Sequence, residues 1–176
     1  IGTVNVLKGP SSLLYGSDAM GGVIDITSPP VPSVDMLFGD VTLLGKSVNG
    51  TLGGSFMLGI KKSFWYAQVR YSEQHFGDYR IPTDIVYLTQ KMPVYGRKLK
   101  NTAGIERNIG FFAQYQRQRY KANYSVSNVY QKTGFFPGAH GIPDVSRVED
   151  DGDSRNMELP SSKVNHLKVT TLQQYA

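Results

Sequence analysis

The chain contains no cysteine among its 176 residues, and only one tryptophan and three histidines. The absence of cysteine excludes a disulfide framework and a thiolate metal site. No apolar run approaches the ~18 residues that a membrane-spanning helix requires, so the sequence carries no signal for such a helix. The first residue is Ile1, and the last, Ala176, interrupts a strand-like run. We therefore expect a fragment of a longer protein.

Acidic residues are the minority among the charged ones, and the formal net charge is +5 at pH 7. A basic chain with eleven tyrosines is compatible with nucleic-acid binding. However, the lysines and arginines occur singly within alternating segments and form no stripe along a helix, so no nucleic-acid partner is expected. No Ser-His-Asp or paired-carboxylate arrangement has a spacing typical of catalysis, and the chain is not expected to be an enzyme.

From Met36 onward, apolar and polar residues alternate with a period of two, which is typical of β-strands. Turn residues interrupt the alternation and leave segments of roughly ten residues, the length of strands that cross a membrane. The segments predicted as strands are 36–45, 51–60, 64–74, 103–116, 120–131 and 163–175. The sequence therefore predicts an all-β fold with about six antiparallel strands.

After the first hairpin, the predicted connections alternate between short and long. Asn49-Gly50 is a strong hairpin signal, and Lys61-Lys62-Ser63 and Arg117-Gln118-Arg119 are predicted tight turns. Residues 75–102 and 132–162 are predicted as long irregular loops of roughly 30 residues, whereas soluble hairpins mostly use two to five. Outer-membrane barrels combine short periplasmic turns with long extracellular loops. The pattern therefore favours part of a transmembrane antiparallel β-barrel over a soluble sandwich.

The apolar faces of the predicted strands are rich in tyrosine, tryptophan and alanine. Trp65 lies next to one predicted tight turn, and Tyr115 and Tyr120 flank another. Aromatic side chains collect at both membrane interfaces because the ring can be buried while its polar group stays hydrated. The opposite faces carry Gln, Asn, Ser, Lys and Arg, which suits a water-filled interior. A soluble β-rich binding domain with a core-facing row of tyrosines stays open as an alternative.

The first 27 residues contain a motif of a different kind. Thr3–Pro10 reads T-V-N-V-L-K-G-P, Tyr15-Gly16 follows, and Gly21–Ile26 reads G-G-V-I-D-I. This segment resembles the C-terminal end of the plug domain of TonB-dependent outer-membrane receptors, whose usual form is I-E-V-L-K-G-P, then Y-G, then G-G-V-I-N-I. It departs from that form at Asp25, where asparagine is common, and in the Thr27–Pro30 segment that follows.

The resemblance implies that residues 1–30 are the C-terminal part of a plug domain and that residues 31–176 are the first strands of an outer-membrane β-barrel. Glycine reaches positive φ values and permits close approach of strands, and proline fixes φ at the start of a short helix predicted over Ser11–Tyr15. The motif residues are therefore predicted to have a structural role: Lys8, Gly9, Pro10, Tyr15, Gly16, Gly21 and Gly22.

By the same resemblance, the complete protein lies in the bacterial outer membrane and takes up a scarce solute such as a ferric siderophore, cobalamin or haem. The partners implied are the TonB-ExbB-ExbD complex, which supplies energy, the outer-membrane lipid, and a small-molecule chelate or cofactor as substrate. By comparison with the family, the segment that contacts TonB lies outside these residues. No cofactor or metal of the protein's own is expected.

Polar and aromatic residues of the two long loops are the predicted contacts for that solute. They are Arg80, Tyr87, Tyr95, Arg97 and His140. The first long loop is basic and rich in tyrosine, which suits an anionic ferric chelate. A passive porin-like or adhesin-like barrel is an alternative function, although such barrels have no plug segment.

Overall fold

The computed structural model of the chain describes residues 2–9, 14–16, 21–87, 91–140 and 152–176. Of these residues 65% are in β-strands, and none is in an α-helix. All strand pairs are antiparallel. The predicted all-β class is therefore confirmed. The chain forms two compact units, Ile1–Asp35 and Met36–Ala176.

The first unit contains a pair of short strands, β1 (Thr3–Leu7) and β2 (Val23–Thr27). They pair antiparallel, with Leu7 opposite Val23 at one end. Gly22, just before β2, has a φ of 122°, and a Cβ atom there would lie 2.8 Å from the carbonyl oxygen of Leu7. An L side chain neither adopts this φ readily nor fits at that distance, so this end of the strand pair requires glycine.

The second unit is built on one sheet of six long strands. They are β3 (Met36–Lys46), β4 (Thr51–Lys62), β5 (Trp65–Phe76), β10 (Gly104–Arg117), β11 (Tyr120–Gly134) and β12 (Ser161–Tyr175). Each strand pairs with the long strand that precedes it in the chain, so the sheet is a meander. The six predicted strands are confirmed, and each predicted boundary lies within three residues of the observed one.

Short turns connect three of the strand pairs. Residues 47–50 join β3 to β4, Ser63 and Phe64 join β4 to β5, and residues 118–119 join β10 to β11. Lys61 and Lys62 were predicted in a turn, but they belong to β4. Lys62 pairs with Trp65, so the ladder of hydrogen bonds continues to the last two residues before the chain reverses. The reversal needs only two residues because Ser63 adopts a left-handed φ of 52°.

Residues 77–103 and 135–160 form the two long connections, at the same end of the sheet as the 47–50 turn. The first was predicted as irregular, but it contains two short strand pairs. β6 (Tyr79–Arg80) pairs with β9 (Lys98–Leu99), and β7 (Ile85–Tyr87) pairs with β8 (Lys91–Pro93). Segments of two or three residues are too short to show a period of two, so the sequence pattern gives no signal for them.

Buried apolar side chains are few in the described part of the second unit. Val94 and Phe136 are 3% and 7% exposed, and the half-buried Ile81 and Leu99 pack against them. This cluster lies among the long loops, away from the faces of the sheet. No helix of the described residues is long and apolar enough to cross a membrane. The loops thus have a small core of their own. Within the sheet, Tyr66 and Ala122 are also buried, and the rings of Phe38 and Phe112 lie 6.3 and 5.9 Å from that of Tyr66.

Candidate functional site

The six-stranded sheet has one apolar face, on which the side chains are exposed. At its centre, Leu58, Val69, Phe111, Val126 and Val169 follow one another across neighbouring strands. Thirteen large apolar side chains on this face are 43% to 87% exposed, whereas Val69, Tyr71 and Ile105 are half-buried. The exposed ones are Leu37, Val41, Leu43, Phe56, Leu58, Ile60, Trp65, Ile109, Phe111, Tyr124, Val126, Leu167 and Val169. We call this surface the apolar face.

The opposite face of the sheet is polar. Its side chains include Thr42, Ser55, Gln68, Arg70, Ser72, Gln74, Glu106, Asn108, Gln114, Asn123, Ser125, Ser127, Lys168 and Thr170. Successive residues of a strand point to opposite sides, so the period of two in the sequence separates the two faces. The predicted division is confirmed in the five strands after the first. The polar face also carries apolar side chains, among them Phe38, Tyr66, Phe112, Val164 and Leu172.

Aromatic side chains gather at the end of the apolar face that carries the tight turns. The ring centroids of Trp65 and Tyr115 are 4.8 Å apart, and those of Tyr115 and Tyr120 are 6.2 Å apart. Phe64 packs against Tyr115, and the guanidinium carbon of Arg117 lies 5.1 Å from the centroid of Phe64. These offset and tilted geometries are favourable for aromatic pairs, and the cation adds a polar boundary to the cluster.

At the other end, Asp78 holds the two ends of the first long loop together. Its side chain is 4% exposed, and its Oδ1 atom accepts hydrogen bonds from the backbone N–H groups of Thr102 at 2.7 Å and Ala103 at 3.0 Å. The backbone N–H of Asp78 donates to the carbonyl oxygen of Ser154 at 2.7 Å. A carboxylate that accepts backbone hydrogen bonds forms charge-assisted contacts, which are stronger than neutral ones. Asp78 therefore closes the first loop and joins it to the second.

Asn101 makes a second link between the loops. It is 2% exposed, and its Nδ2 group donates to the carbonyl oxygens of Phe135 at 3.0 Å and Pro160 at 2.9 Å. Its Oδ1 atom accepts from the backbone N–H of Glu158 at 2.7 Å. The side chain thus satisfies three backbone groups near the two ends of the second loop.

The 47–50 turn is tied to both long loops. The N–H groups of Gly77 and Arg80 donate to the carbonyl oxygens of Asn49 and Val48 at 2.8 and 3.0 Å. The guanidinium of Arg155 donates to the carbonyl oxygen of Gly50 at 2.6 Å. Loops that are cross-linked in this way present their outer residues in defined positions, which is what a binding surface requires.

A cavity of about 450 Å³ opens on the polar face directly beneath these loops. Glu106 lies on its wall, where its Oε1 atom accepts from the amide of Gln131 at 3.1 Å and its Oε2 atom accepts from the amide of Gln74. The lining combines polar and aromatic side chains: Lys46, Asn49, Thr51, Gln74, Phe76, Tyr79, Thr102, Glu106, Gln131, Thr133, Phe135 and Phe136. Its volume and mixed lining are of the kind that accommodates a small molecule.

The predicted solute contacts all lie on the loops, at the same end of the sheet as this cavity. Arg80 is exposed in β6, and Arg97, also exposed, forms an ion pair with Asp84 at 3.2 Å. The backbone brings these arginines together, because Arg80 pairs with Lys98 and the N–H of Ile81 donates to the carbonyl of Arg97. The other three are placed by the backbone alone: Tyr87 ends β7, Tyr95 begins a 3-10 turn, and His140 ends another.

The motif residues of the first unit have varied backbone conformations. Gly9 and Gly16, like Gly22, have φ in the left-handed region. Gly21 has open space at its Cβ position and no positive φ, so the structure gives no backbone reason for glycine there. Tyr15 lies in a 3-10 turn and is exposed, Lys8 is also exposed, and Pro10 lies outside the described residues. The structural role of the motif in a plug stays a prediction.

Asp78, Asn101 and Glu106 were not singled out in the sequence. Acidic and amide residues are frequent in loops, and nothing in the spacing of these three distinguishes them. In the parts of the chain that the structure describes, no group of three or more His, Asp or Glu residues is placed to hold a metal ion.

No protein-family model matches the chain, and no curated protein or solved structure does either. The resemblance of the Thr3–Thr27 segment to a plug domain therefore stays a prediction. What the chain does has to be argued from the two faces of the sheet and from the loops at one end.

Proposed function

We propose that the chain is part of a TonB-dependent outer-membrane receptor, in which the first unit ends the plug domain and the six-stranded sheet begins the β-barrel. The proposal depends chiefly on the apolar face, which is exposed across all six strands of the sheet. The complete protein would import a scarce solute with energy from the TonB-ExbB-ExbD complex. The chain has no catalytic role in this proposal.

The apolar face must be in contact with another apolar surface. Burying one large apolar side chain contributes about 1.5–3 kcal/mol, so an exposed face of this size is strongly unfavourable in water. Surfaces of this kind mark contact with a protein or a membrane. Hydrocarbon chains suit this face, because it is flanked at the turn end by Trp65, Tyr115 and Tyr120. Membrane-spanning barrels have such aromatic girdles at the interfaces.

The connections support the same proposal. Two-residue turns lie at one end of the sheet, and connections of 27 and 26 residues, 77–103 and 135–160, lie at the other. Short turns on the periplasmic side and long loops on the extracellular side are characteristic of outer-membrane barrels. In this orientation the polar face lines the interior of the barrel. The cavity beside Glu106 then lies on the extracellular side, beneath the long loops.

For the solute, we propose an anionic chelate of iron as the class best suited to the first long loop. Arg80, Arg97 and Lys98 are adjacent there through the pairing of β6 with β9. A cluster of cations at the entrance raises the local concentration of an anionic solute and its rate of association. Cobalamin and haem are the other solute classes of such receptors, and a growth experiment distinguishes the three.

Substitution of one residue on each face tests the membrane proposal. Val126→Arg is expected to reduce the amount of full-length protein in the outer membrane, because arginine at the bilayer midplane costs about 2–4 kcal/mol. The neighbouring Ser125→Arg, on the polar face and opposite the uncharged Phe112 and Thr170, is the matched control and is expected to be tolerated. Membrane fractionation and quantitative blotting measure both. A water-soluble monomeric protein, or equal effects of the two substitutions, would contradict the proposal.

Growth of a deletion strain tests the solute. The strain is expected to lose growth on a ferric chelate as the sole iron source and to keep normal growth on cobalamin-dependent medium. The double substitution Arg80→Gln and Arg97→Gln is expected to reduce uptake about tenfold at low solute concentration. The matched control removes the same two charges from the turn end, by Arg117→Gln and Arg119→Gln. Uptake that falls equally in both double variants would argue against an anionic solute at the loops.

A further inference from the structure

Two lysines face each other directly across neighbouring strands. Lys132 of β11 and Lys163 of β12 are register partners, and both lie on the side of the sheet that carries the apolar face. Like charges in directly opposite positions destabilise a pair of strands. Among the residues that the structure describes, no ion pair joins either lysine to a carboxylate. The arrangement is unfavourable by itself and becomes favourable when one anion contacts both ammonium groups.

A third cation and an aromatic ring adjoin the two lysines. Arg107 of β10 is opposite Tyr130 of β11. Tyr130 lies two residues before Lys132, on the same side of the sheet. The Nζ atom of Lys163 lies 5.8 Å from the centroid of the Tyr130 ring. Arg107 is ion-paired with Glu73, to which its Nε donates at 2.8 Å, so among the described residues the two lysines carry the unpaired charge and Arg107 adds its terminal N–H donors. Three cations on three consecutive strands therefore surround one tyrosine.

The position of this cluster along the strands restricts its ligand. Lys163 precedes Leu167 of the apolar face by four residues, or about 13 Å at the usual rise of a strand. The cluster is on the loop side of the apolar face, beyond Tyr130. If the apolar face contacts hydrocarbon, the cluster lies at the level of the lipid headgroups in the leaflet on the loop side.

We propose that Lys132, Lys163 and Arg107 form a binding site for the phosphate of a phosphorylated glycolipid in the outer leaflet. This proposal deepens the proposed function and depends on it. Lysine and arginine donate charge-assisted hydrogen bonds to phosphate, and basic clusters beside membrane-spanning segments bind anionic headgroups. The apolar face continues directly below the cluster through Leu167, Val169 and Val126, so acyl chains attached to the same headgroup lie against it.

Charge and position together favour this ligand over others. Inorganic phosphate would satisfy the lysines but would make no use of the adjoining apolar side chains. An acidic protein segment would have to cover the side of the sheet that the proposed function assigns to lipid. A phosphate joined to acyl chains contacts both the cluster and the apolar face.

The test uses the full-length protein extracted from outer membranes in a mild detergent. The double variant Lys132→Gln and Lys163→Gln is expected to retain about one tenth of the tightly bound glycolipid. Mass spectrometry measures this as the ratio of glycolipid to protein. The control variant, Lys121→Gln and Lys168→Gln, removes the same charge from the polar face and is expected to retain it. Added inorganic phosphate is expected not to displace the glycolipid from the unsubstituted protein.

Three results would overturn the inference: glycolipid retained in the first double variant, equal loss in both, or displacement by inorganic phosphate. The first double variant is also compared with the unsubstituted protein for its amount in the membrane fraction. If the first double variant and the unsubstituted protein reach the membrane in equal amounts and bind equal glycolipid, the proposed lipid site is contradicted and the proposed function is not. Absence of the unsubstituted protein from the membrane fraction would contradict the proposed function and this inference together.

Discussion

Asn101→Asp is expected to separate the two long loops without disturbing the sheet. Aspartate keeps the size of asparagine and the acceptor for the N–H of Glu158, but it places an oxygen where Nδ2 now donates to Phe135 and Pro160. The carbonyl oxygens of Phe135 and Pro160, whose hydrogen bonds are partly buried, then face another acceptor. Since a buried group without its hydrogen-bond partner costs about 1–3 kcal/mol and these two are only partly buried, we expect the loop contacts to weaken by about 2 kcal/mol. Hydrogen–deuterium exchange of the full-length protein measures this as faster exchange at Glu158 and Asn156.

The matched control is the same substitution on the polar face of the sheet. Asn108→Asp changes an asparagine whose Nδ2 donates to the hydroxyl of Ser72 at 3.2 Å, and a small effect is expected because that hydroxyl can donate to aspartate instead. Gly134→Ala is an independent variant, because a Cβ atom at Gly134 would collide with the side chain of Asn101. It is expected to loosen the same loop. If exchange in the loop is unchanged in both Asn101→Asp and Gly134→Ala, Asn101 does not hold the loops together.

Loss of the Asp78 carboxylate is the second large effect. Asp78→Ala leaves the N–H groups of Thr102 and Ala103 buried without their acceptor, and charge-assisted bonds of this kind contribute about 1.5–3 kcal/mol each. A destabilisation of about 3 kcal/mol is expected in denaturant titration of the full-length protein, with loss of protection at the two amides. Asp78→Asn keeps a neutral oxygen acceptor and is expected to cost about 1 kcal/mol.

Asp84 provides the control within the same loop. Its ion pair with Arg97 is exposed, with both side chains about two-thirds accessible, and such pairs contribute about 0–1 kcal/mol. Asp84→Ala is therefore expected to change stability little. A loss of stability in Asp84→Ala as large as in Asp78→Ala would show that removal of any negative charge from this basic loop is destabilising, and that the buried hydrogen bonds of Asp78 are not the cause.

Most of the sheet could be predicted from the sequence. The alternation of Leu52, Phe56, Leu58 and Ile60 with small or polar residues is a local property, and it defines both the strand and the side that is apolar. The tight turns were recognisable because basic and polar residues interrupt that alternation. Predicted strand ends differed where pairing continues beyond the pattern, as at Lys61 and Lys62 of β4.

The candidate site was predictable only in part. The loops that carry Arg80 and Arg97 were identified from their length and composition, and the structure places those two residues close together. The anchors of the loops were not identified. The side-chain hydrogen bonds of Asp78 and Asn101 join residues between 24 and 59 positions apart, and no local sequence pattern indicates contacts at that separation. The same holds for Glu106, whose two amide partners lie on other strands.

The sequence by itself determined the all-β class, the positions of six strands and the separation of an apolar from a polar face, because a strand alternates its side chains whatever surrounds it. Tertiary structure alone decided which residues meet across strands and loops. The opposition of Lys132 and Lys163 depends on the register of β11 with β12, and a connection of 26 residues leaves that register open. Burial of Asp78 and Asn101 likewise depends on backbone groups that only the folded loops bring within reach.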